Sequence, residues 1–389
     1  MTSTDSESRF SSVEICAGAG GQALGLHRAG FRHHALIEID ENAVKTLEEN
    51  VKGDGWEGCR VLKRDLTSFD VAELSLIRGE LDLLAGGVPC PPFSAAGKQL
   101  GEDDERDLFP TMLQMVTDLR PKAVMIENVR GLLEPAEKFR DYRENTIKRH
   151  LVEEGYEVRM WSVLEAWHFG VPQLRPRAIL VALLPEYAPF FVPFEKVDEQ
   201  AEKQIQKLTV GHALETTMRR RFDAVNDPRA DKAFKDWFKA ATADIAPTLV
   251  GGSKKHGGAD LGPTRAKRAW GKLGVDGLGV ANDQEKMVDK ERDLFSSAGP
   301  KLTVEQAAII QGFPVSWRFM GKKTAAYRQV GNAFPPPMAE AVGKRIKAAL
   351  EKKPPEANSA VDAVSPGVPR PSSAEAADRG GDSEGASLG

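Results

Sequence analysis

The chain has 389 residues, 41% hydrophobic and 28% charged, enough for a large core in roughly two domains. Its three cysteines, Cys16, Cys59 and Cys90, lack disulfide-framework or zinc-site spacing, and neither the polar start nor any apolar run suits a signal peptide or membrane span, so a soluble protein of the reducing cytoplasm is expected. The net charge of −4 lies wholly in residues 354–389, six acids against two bases in a Pro-, Ser-, Gly- and Ala-rich tail expected to be disordered, which leaves the body neutral and a nucleic-acid partner open.

Residues 13–16 read as a strand running into Ala17-Gly-Ala-Gly-Gly21, and 22–29 as a helix closed by Gly30. Gly18-x-Gly20-x-x-Ala23 at that turn is a dinucleotide-type fingerprint, in which glycines let a ligand approach the backbone at a helix N-terminus. The pattern alone is weak, and an NAD-dependent dehydrogenase shares it. A second strand over 35–39 carries Glu38 where such folds hold a ribose, while Asp40 reads as mostly structural, a cap for a helix over 41–51. No Gly-Lys-Ser/Thr follows the glycines, which argues against a triphosphate loop.

A third strand over 60–66 contains Asp65, and a helix near 71–77 leads to a strand over 81–85 that Gly86 and Gly87 end. Cys90 follows, stiffened by Pro89, Pro91 and Pro92, which exclude a sheet interior. A cysteine standing alone is more often a small buried hydrophobe. Held rigidly beyond a strand's carboxyl edge, where open α/β sheets bind ligands, Cys90 is a candidate nucleophile. The polar stretch 94–107 reads as a movable lid, with an ordinary surface loop as the alternative. A helix over 108–119 precedes a strand over 123–126, which delivers Glu127 and Asn128 to the same edge; a carboxylate leaving a buried strand is costly unless used or paired. A helix near 137–153 and strands over 158–164 and 178–183 complete an α/β alternation, predicting a doubly wound, mostly parallel sheet. Gln173, Arg175 and Arg177 share one polar edge if that segment is extended.

From 185 to 300 the alternation stops, apart from helical patches such as 234–241. Between Gly251 and Lys272 six basic residues, Lys254, Lys255, Arg265, Lys267, Arg268 and Lys272, face one acid, Asp260, which fits a phosphate-contact surface or a solvated loop. Thr303 and Gln306 then form a capping box for a helix over 304–311, ended by Gly312 and Pro314. Residues 331–337 form a stiff loop before a helix with Val342, Ile346 and Leu350 on one face. The expected organisation is one domain from 11–185 and 301–352, a smaller inserted domain over 186–300, and the tail over 354–389.

Taken in order, Ala17-Gly-Ala-Gly-Gly21, Gly87-Val-Pro-Cys-Pro-Pro-Phe-Ser94, Glu127-Asn-Val-Arg130, Gln173-Leu-Arg-Pro-Arg177, Gln311-Gly-Phe-Pro314 and Gly331-Asn-Ala-Phe334 resemble the motifs of DNA cytosine-5 methyltransferases, from Val13 to about Leu350 except for the insert. The resemblance implies a Rossmann-like domain binding S-adenosylmethionine, a target recognition domain over 186–300, and no metal. It implies catalytic roles for Cys90, Glu127 and Arg175, with Asn128 and Arg177 beside them. The cofactor site it implies comprises Cys16, Ala17, Gly18, Ala19, Gly20, Gly21, Glu38, Ile39, Asp65, Leu66, Pro89, Leu108, Asn332 and Phe334. Ser94, Lys98 and Gln99, with Lys254, Lys255, Arg265 and Arg268, are the expected DNA contacts. Two departures stand out: Cys16 replaces a phenylalanine frequent against the adenine, and Pro91 replaces a common glutamine.

In such a reaction the Cys90 thiolate adds to cytosine C6 so that C5 becomes nucleophilic, Glu127 holds N3 and the exocyclic amine, and Arg175 holds the O2 side with Arg177 as its support. The base must be flipped out of the duplex first. The implied partner is double-stranded DNA, in a restriction–modification setting whose cognate endonuclease acts on the same site without touching this chain, and the chain is expected to be a monomer. The alternatives are an RNA (transfer RNA) cytosine-5 methyltransferase and a catalytically silent DNA-binding regulator.

Overall fold

The computed structural model describes residues 10–53, 55–89, 107–202, 204–251 and 259–352. Among them, seven strands form one sheet: β1 Phe10–Ile15, β2 Phe31–Glu38, β3 Arg60–Lys63, β4 Leu83–Gly87, β5 Ala123–Val129, β6 Glu157–Glu165 and β7 Pro176–Leu183, in the order β3-β2-β1-β4-β5-β7-β6. The first five strands pair in parallel, and β7 runs antiparallel to both β5 and β6. Only residues 166–175 join β6 to β7. That span is too short for a crossover helix, so the chain folds straight back.

The helices are α1 Gly21–Arg28, α2 Glu41–Asn50, α3 Phe109–Leu119, α4 Arg149–Glu153, α5 Glu199–Glu202, α6 Val210–Asp223, α7 Ala230–Ala241, α8 Thr264–Lys272, α9 Lys290–Asp293, α10 Val304–Ile310, α11 Lys323–Asn332 and α12 Pro336–Leu350. Strand periodicity divides the core into two layers. Leu83 and Ala85 of β4 share a cluster with Leu26, Met338 and Val342 of α1 and α12, while Leu84 shares the opposite one with Phe109, Met112 and Val116 of α3. The α1–α12 contact is close because Gly25 has no side chain; a Cβ there would lie 2.5 Å from Ala339 Cβ. A third cluster joins α6, α7 and the buried Trp270 of α8 to α10, which carries the chain back to the sheet.

Local signals account for many boundaries. Asp40 caps α2, its Oδ1 accepting from the Asn42 and Ala43 amides at 3.0 and 3.2 Å, and Thr303 with Gln306 forms the expected capping box on α10. Three expectations need correction. The helix near 71–77 is a 3-10 turn over Val71–Leu74, ended by Ser75 at φ 54°. The helix near 137–153 is a π-helical stretch, Tyr142–Lys148, followed by α4. Its Arg143 turns inward to donate to the Leu132 carbonyl at 2.8 Å. The loop over 331–337 is shorter than expected, since α11 runs through Asn332 and Pro336 begins α12, where a missing N–H costs nothing. Among the described residues no helix is long and apolar enough to cross a membrane.

Candidate active site

The β1–α1 turn is a strained loop, with Cys16, Gly18 and Gly20 at φ 50°, 54° and 82°. Glu38 at the end of β2 fixes it from one side. Its Oε2 accepts from the Gly18 amide at 2.7 Å and its Oε1 from the Ile39 and Asp40 amides at 2.9 and 2.8 Å, which leaves few lone pairs for a ligand but sets their direction. Gly21 is a close-approach position: a Cβ would lie 2.2 Å from the Phe334 carbonyl oxygen.

These elements wall a cavity of about 500 Å³ at the carboxyl edge of the sheet. Of the residues expected at a cofactor, Cys16, Ala17, Gly18, Ala19, Gly21, Glu38, Ile39, Asp65, Leu66, Pro89, Leu108, Asn332 and Phe334 all line it. Gly20 is not among the lining residues; Leu47 and Trp317 crowd the space a side chain there would take. Asp65 also caps the short turn Leu66–Ser68, its Oδ1 accepting from the Thr67 amide and hydroxyl at 3.0 and 2.8 Å. Among the lining residues that the sequence reading did not place at the site are Glu14 and Gln22, which are 1% and 4% exposed. Among the described residues, Glu14 Oε2 and both Gln22 amide atoms have no hydrogen-bond partner. Burial, offset in part by the Ala23 amide and reinforced by Glu38, pushes the Glu14 carboxyl well above the usual carboxylate range. The cue was available: a glutamate inside an apolar strand carries the same cost that singled out Glu127.

Glu127 reaches the same cavity from β5, next to Gly87 at the end of β4; a Cβ on Gly87 would lie 3.0 Å from Glu127 Oε2. Its Oε1 pairs with Arg177 Nε at 2.7 Å, and both side chains are largely buried. Burial lowers the Arg177 pKa, and the Glu127 charge and hydrogen bond act against that shift. Asn128 turns away from the cavity and donates to the Val88 carbonyl at 2.9 Å, steadying the segment that leads to residue 90.

Gln173, Arg175 and Arg177 do not share an edge. Arg177 lies in β7 and its register sets it opposite Val129, whereas Gln173 and Arg175 precede the strand and are fully buried. The Arg175 guanidinium donates to the Leu249 carbonyl at 2.8 Å and to the Gly331 and Ala333 carbonyls at 2.9 Å. Gln173 accepts from the Leu249 amide at 2.7 Å and donates to Gln311 Oε1 at 2.7 Å. The guanidinium beside Glu127 is therefore that of Arg177, and Arg175 braces the entry of the inserted region against the loop that lines the cavity.

Arg265 and Arg268 are exposed on α8, while Lys267 is tied to Asp260 at 2.7 Å. Cys90, Ser94, Lys98, Gln99, Lys254 and Lys255 lie outside the described residues. Among the described residues no group of three His, Cys, Asp or Glu side chains could hold a metal ion.

Residues 10–348 match the family model of C-5 cytosine-specific DNA methylases. The chain is 49% identical over 357 residues to the Type II methyltransferase M.NaeI of Lentzea aerocolonigenes, covering 90% of this chain and 78% of that protein. It is 46% identical over 353 residues to the Type II methyltransferase M.NgoMIV of Neisseria gonorrhoeae, covering 89% and 99% respectively. The fold is similar to that of a Spodoptera frugiperda DNMT2 mutant, with a TM-score of 0.54 at 16% identity over 88% of this chain and 99% of that one. A glycine loop, a buried Glu127–Arg177 pair and a cavity at a single sheet edge, within residues 10–348 matched by this family's model, identify the chain as a member of the C-5 cytosine-specific DNA methylases, a DNA cytosine-5 methyltransferase.

Proposed function

We propose that the cavity holds S-adenosylmethionine beside a flipped cytosine, and that Cys90, Glu127 and Arg177 carry the reaction on that base. The observation that carries this reading is the Glu127–Arg177 pair, largely buried, with Glu127 on the wall of the cavity lined by the cofactor residues. The unpartnered Glu14 and Gln22 atoms fit the cofactor's polar amino-acid end, because a buried carboxylate facing an ammonium is stabilised where an isolated one is not. Glu38, Ile39 and Asp65 would hold the ribose and adenine, with Asn332 and Phe334 closing the site. When bound, S-adenosylmethionine supplies an electrophilic methyl group.

Cytosine C5 is too electron-poor to take that group unaided. The Cys90 thiolate adds to C6, and the ring gains electron density at C5. Glu127 holds N3 and the exocyclic amine, while Arg177 holds the O2 side, so the developing charge meets fixed groups rather than water. Loss of the C5 proton then drives elimination of Cys90. Cys16 and Cys59 do not suit the nucleophile: burial and nearby carboxylates raise both thiols, Cys59 to about 12. Arg175 takes a structural part in this scheme, exchanging with Arg177 the role expected from the sequence.

The proposal divides the chain into a catalytic domain over 11–185 and 301–352, a target recognition domain over 186–300, and a tail over 354–389. The substrate is a specific short sequence in duplex DNA, read in part through Arg265 and Arg268. The 49% and 46% identical Type II relatives support a restriction–modification role; the proposal adds that the chain is a monomer of the bacterial cytoplasm whose cognate endonuclease has the same specificity. Bisulfite sequencing of DNA from cells expressing the chain tests the reading: methylation at one short motif is expected, with none for Cys90→Ser despite retained duplex binding. Methylation by Cys90→Ser, or of transfer RNA alone, would overturn it.

A further inference from the structure

In the glycine loop Cys16, a non-glycine residue, is held in the left-handed region at φ 50° beside the freely left-handed Gly18 and Gly20, and such a residue persists only where its surroundings over-determine it. Inside the loop the Gly20 amide donates to the Ala17 carbonyl at 2.9 Å, and Glu38 holds the Gly18 amide. The Ala19 carbonyl is held from far away in the chain. Trp317 Nε1 donates to it at 3.0 Å across 298 residues, and the indole ring seals that side of the loop; a Cβ on Gly20 would lie 2.8 Å from Trp317 Cζ2. Trp317 itself has little freedom. Asn50 of α2 clamps the next residue, accepting from the Arg318 amide at 2.9 Å and donating to its carbonyl at 2.8 Å, and Thr46 Oγ1 accepts from the Met320 amide at 2.8 Å. Trp56 packs on the indole at a centroid distance of 6.3 Å, and no hydrogen bond joins it to the loop among the described residues.

We infer that Trp317 is a positioning residue for the cofactor: from behind the loop it fixes the Ala19–Gly20 peptide, and so the direction of the first amides of α1 towards the cavity. The inference rests on the reading that this cavity holds S-adenosylmethionine. A side chain that follows the inserted region in sequence thereby sets the geometry of a loop near the N-terminus.

Trp317→Phe removes the Nε1 donor and trims the buried bicyclic ring to a single one while leaving an aromatic ring against the loop. Calorimetric titration of the full-length chain with S-adenosylmethionine is expected to show a dissociation constant about 5- to 10-fold weaker, the range given by one modest hydrogen bond. The KM for the cofactor should rise with kcat nearly unchanged, duplex affinity should stay near wild type, the thermal midpoint should fall only by the few degrees that one lost buried hydrogen bond costs, and Trp56→Phe should bind the cofactor within about twofold of wild type. A Trp317→Phe dissociation constant equal to wild type overturns the inference, and so does a loss matched by equal losses in duplex affinity and stability. A wild-type chain that fails to bind S-adenosylmethionine overturns the underlying reading of the cavity, and this inference with it.

Discussion

The sheet region and the inserted region hold their charged groups in different ways. At the sheet edge Glu38 is fixed by three backbone amides and Arg175 by three backbone carbonyls, while Glu127 is held in a largely buried pair with Arg177. In the inserted region many exposed cations are neutralised by neighbouring acids, as in Arg219 with Asp223 and Asp231, Lys232 with Asp236, and Lys235 with Asp231. Exposed pairs of that kind contribute little to stability and readily exchange partners. Backbone-fixed groups suit chemistry, which needs preorganised geometry, whereas a surface of loosely held charges suits a phosphate backbone.

Four substitutions test that contrast. Glu127→Gln should slow single-turnover methyl transfer by about 10²–10⁴-fold with cofactor and duplex affinities retained, since the amide cannot supply a proton to N3; an unchanged rate would remove Glu127 from the chemistry. Arg175→Met leaves three buried carbonyls without their donor and should cost about 3 kcal/mol or more in urea unfolding, with both ligands bound more weakly. Wild-type stability would contradict the brace.

Glu14→Gln sharpens the comparison through pH. Because the folded-state pKa of Glu14 is raised, the folded chain holds a proton that the unfolded chain releases, so without cofactor stability falls as pH rises from the ordinary carboxylate value through the raised one. An ammonium beside Glu14 favours the charged form. Cofactor binding should therefore release a proton, seen by calorimetry in buffers of different ionisation enthalpy, and Glu14→Gln should abolish that release. The smallest effect is expected on the inserted side. Replacing Arg265 and Arg268 together should lower the slope of log affinity for DNA against log salt by about 2, with little change in single-turnover rate. An unchanged slope would exclude α8 as a phosphate contact.

Much of this arrangement was legible because it is local. Short apolar runs mark β4 and β5, the glycines mark the β1–α1 turn, and Thr303 with Gln306 marks the start of α10. The separate placements of Arg175 and Arg177 were hidden because alternation describes a strand, and β7 begins only at Pro176; the partners of Arg175 lie 74 to 158 residues away. Glu14 was legible from its place in an apolar strand but was passed over, whereas the part Trp317 plays rests on a hydrogen bond that spans most of the chain. The inserted region offered no strand period, and its helices were only partly foreseen.

The central claim is that Glu127 and Arg177 together hold the target base. It is tested most directly by the single-turnover methyl-transfer rate of Arg177→Met at saturating DNA and cofactor, under conditions where the variant is folded. A loss of about 10²–10³-fold is expected, with the dissociation constant for S-adenosylmethionine unchanged. A rate near wild type would contradict it.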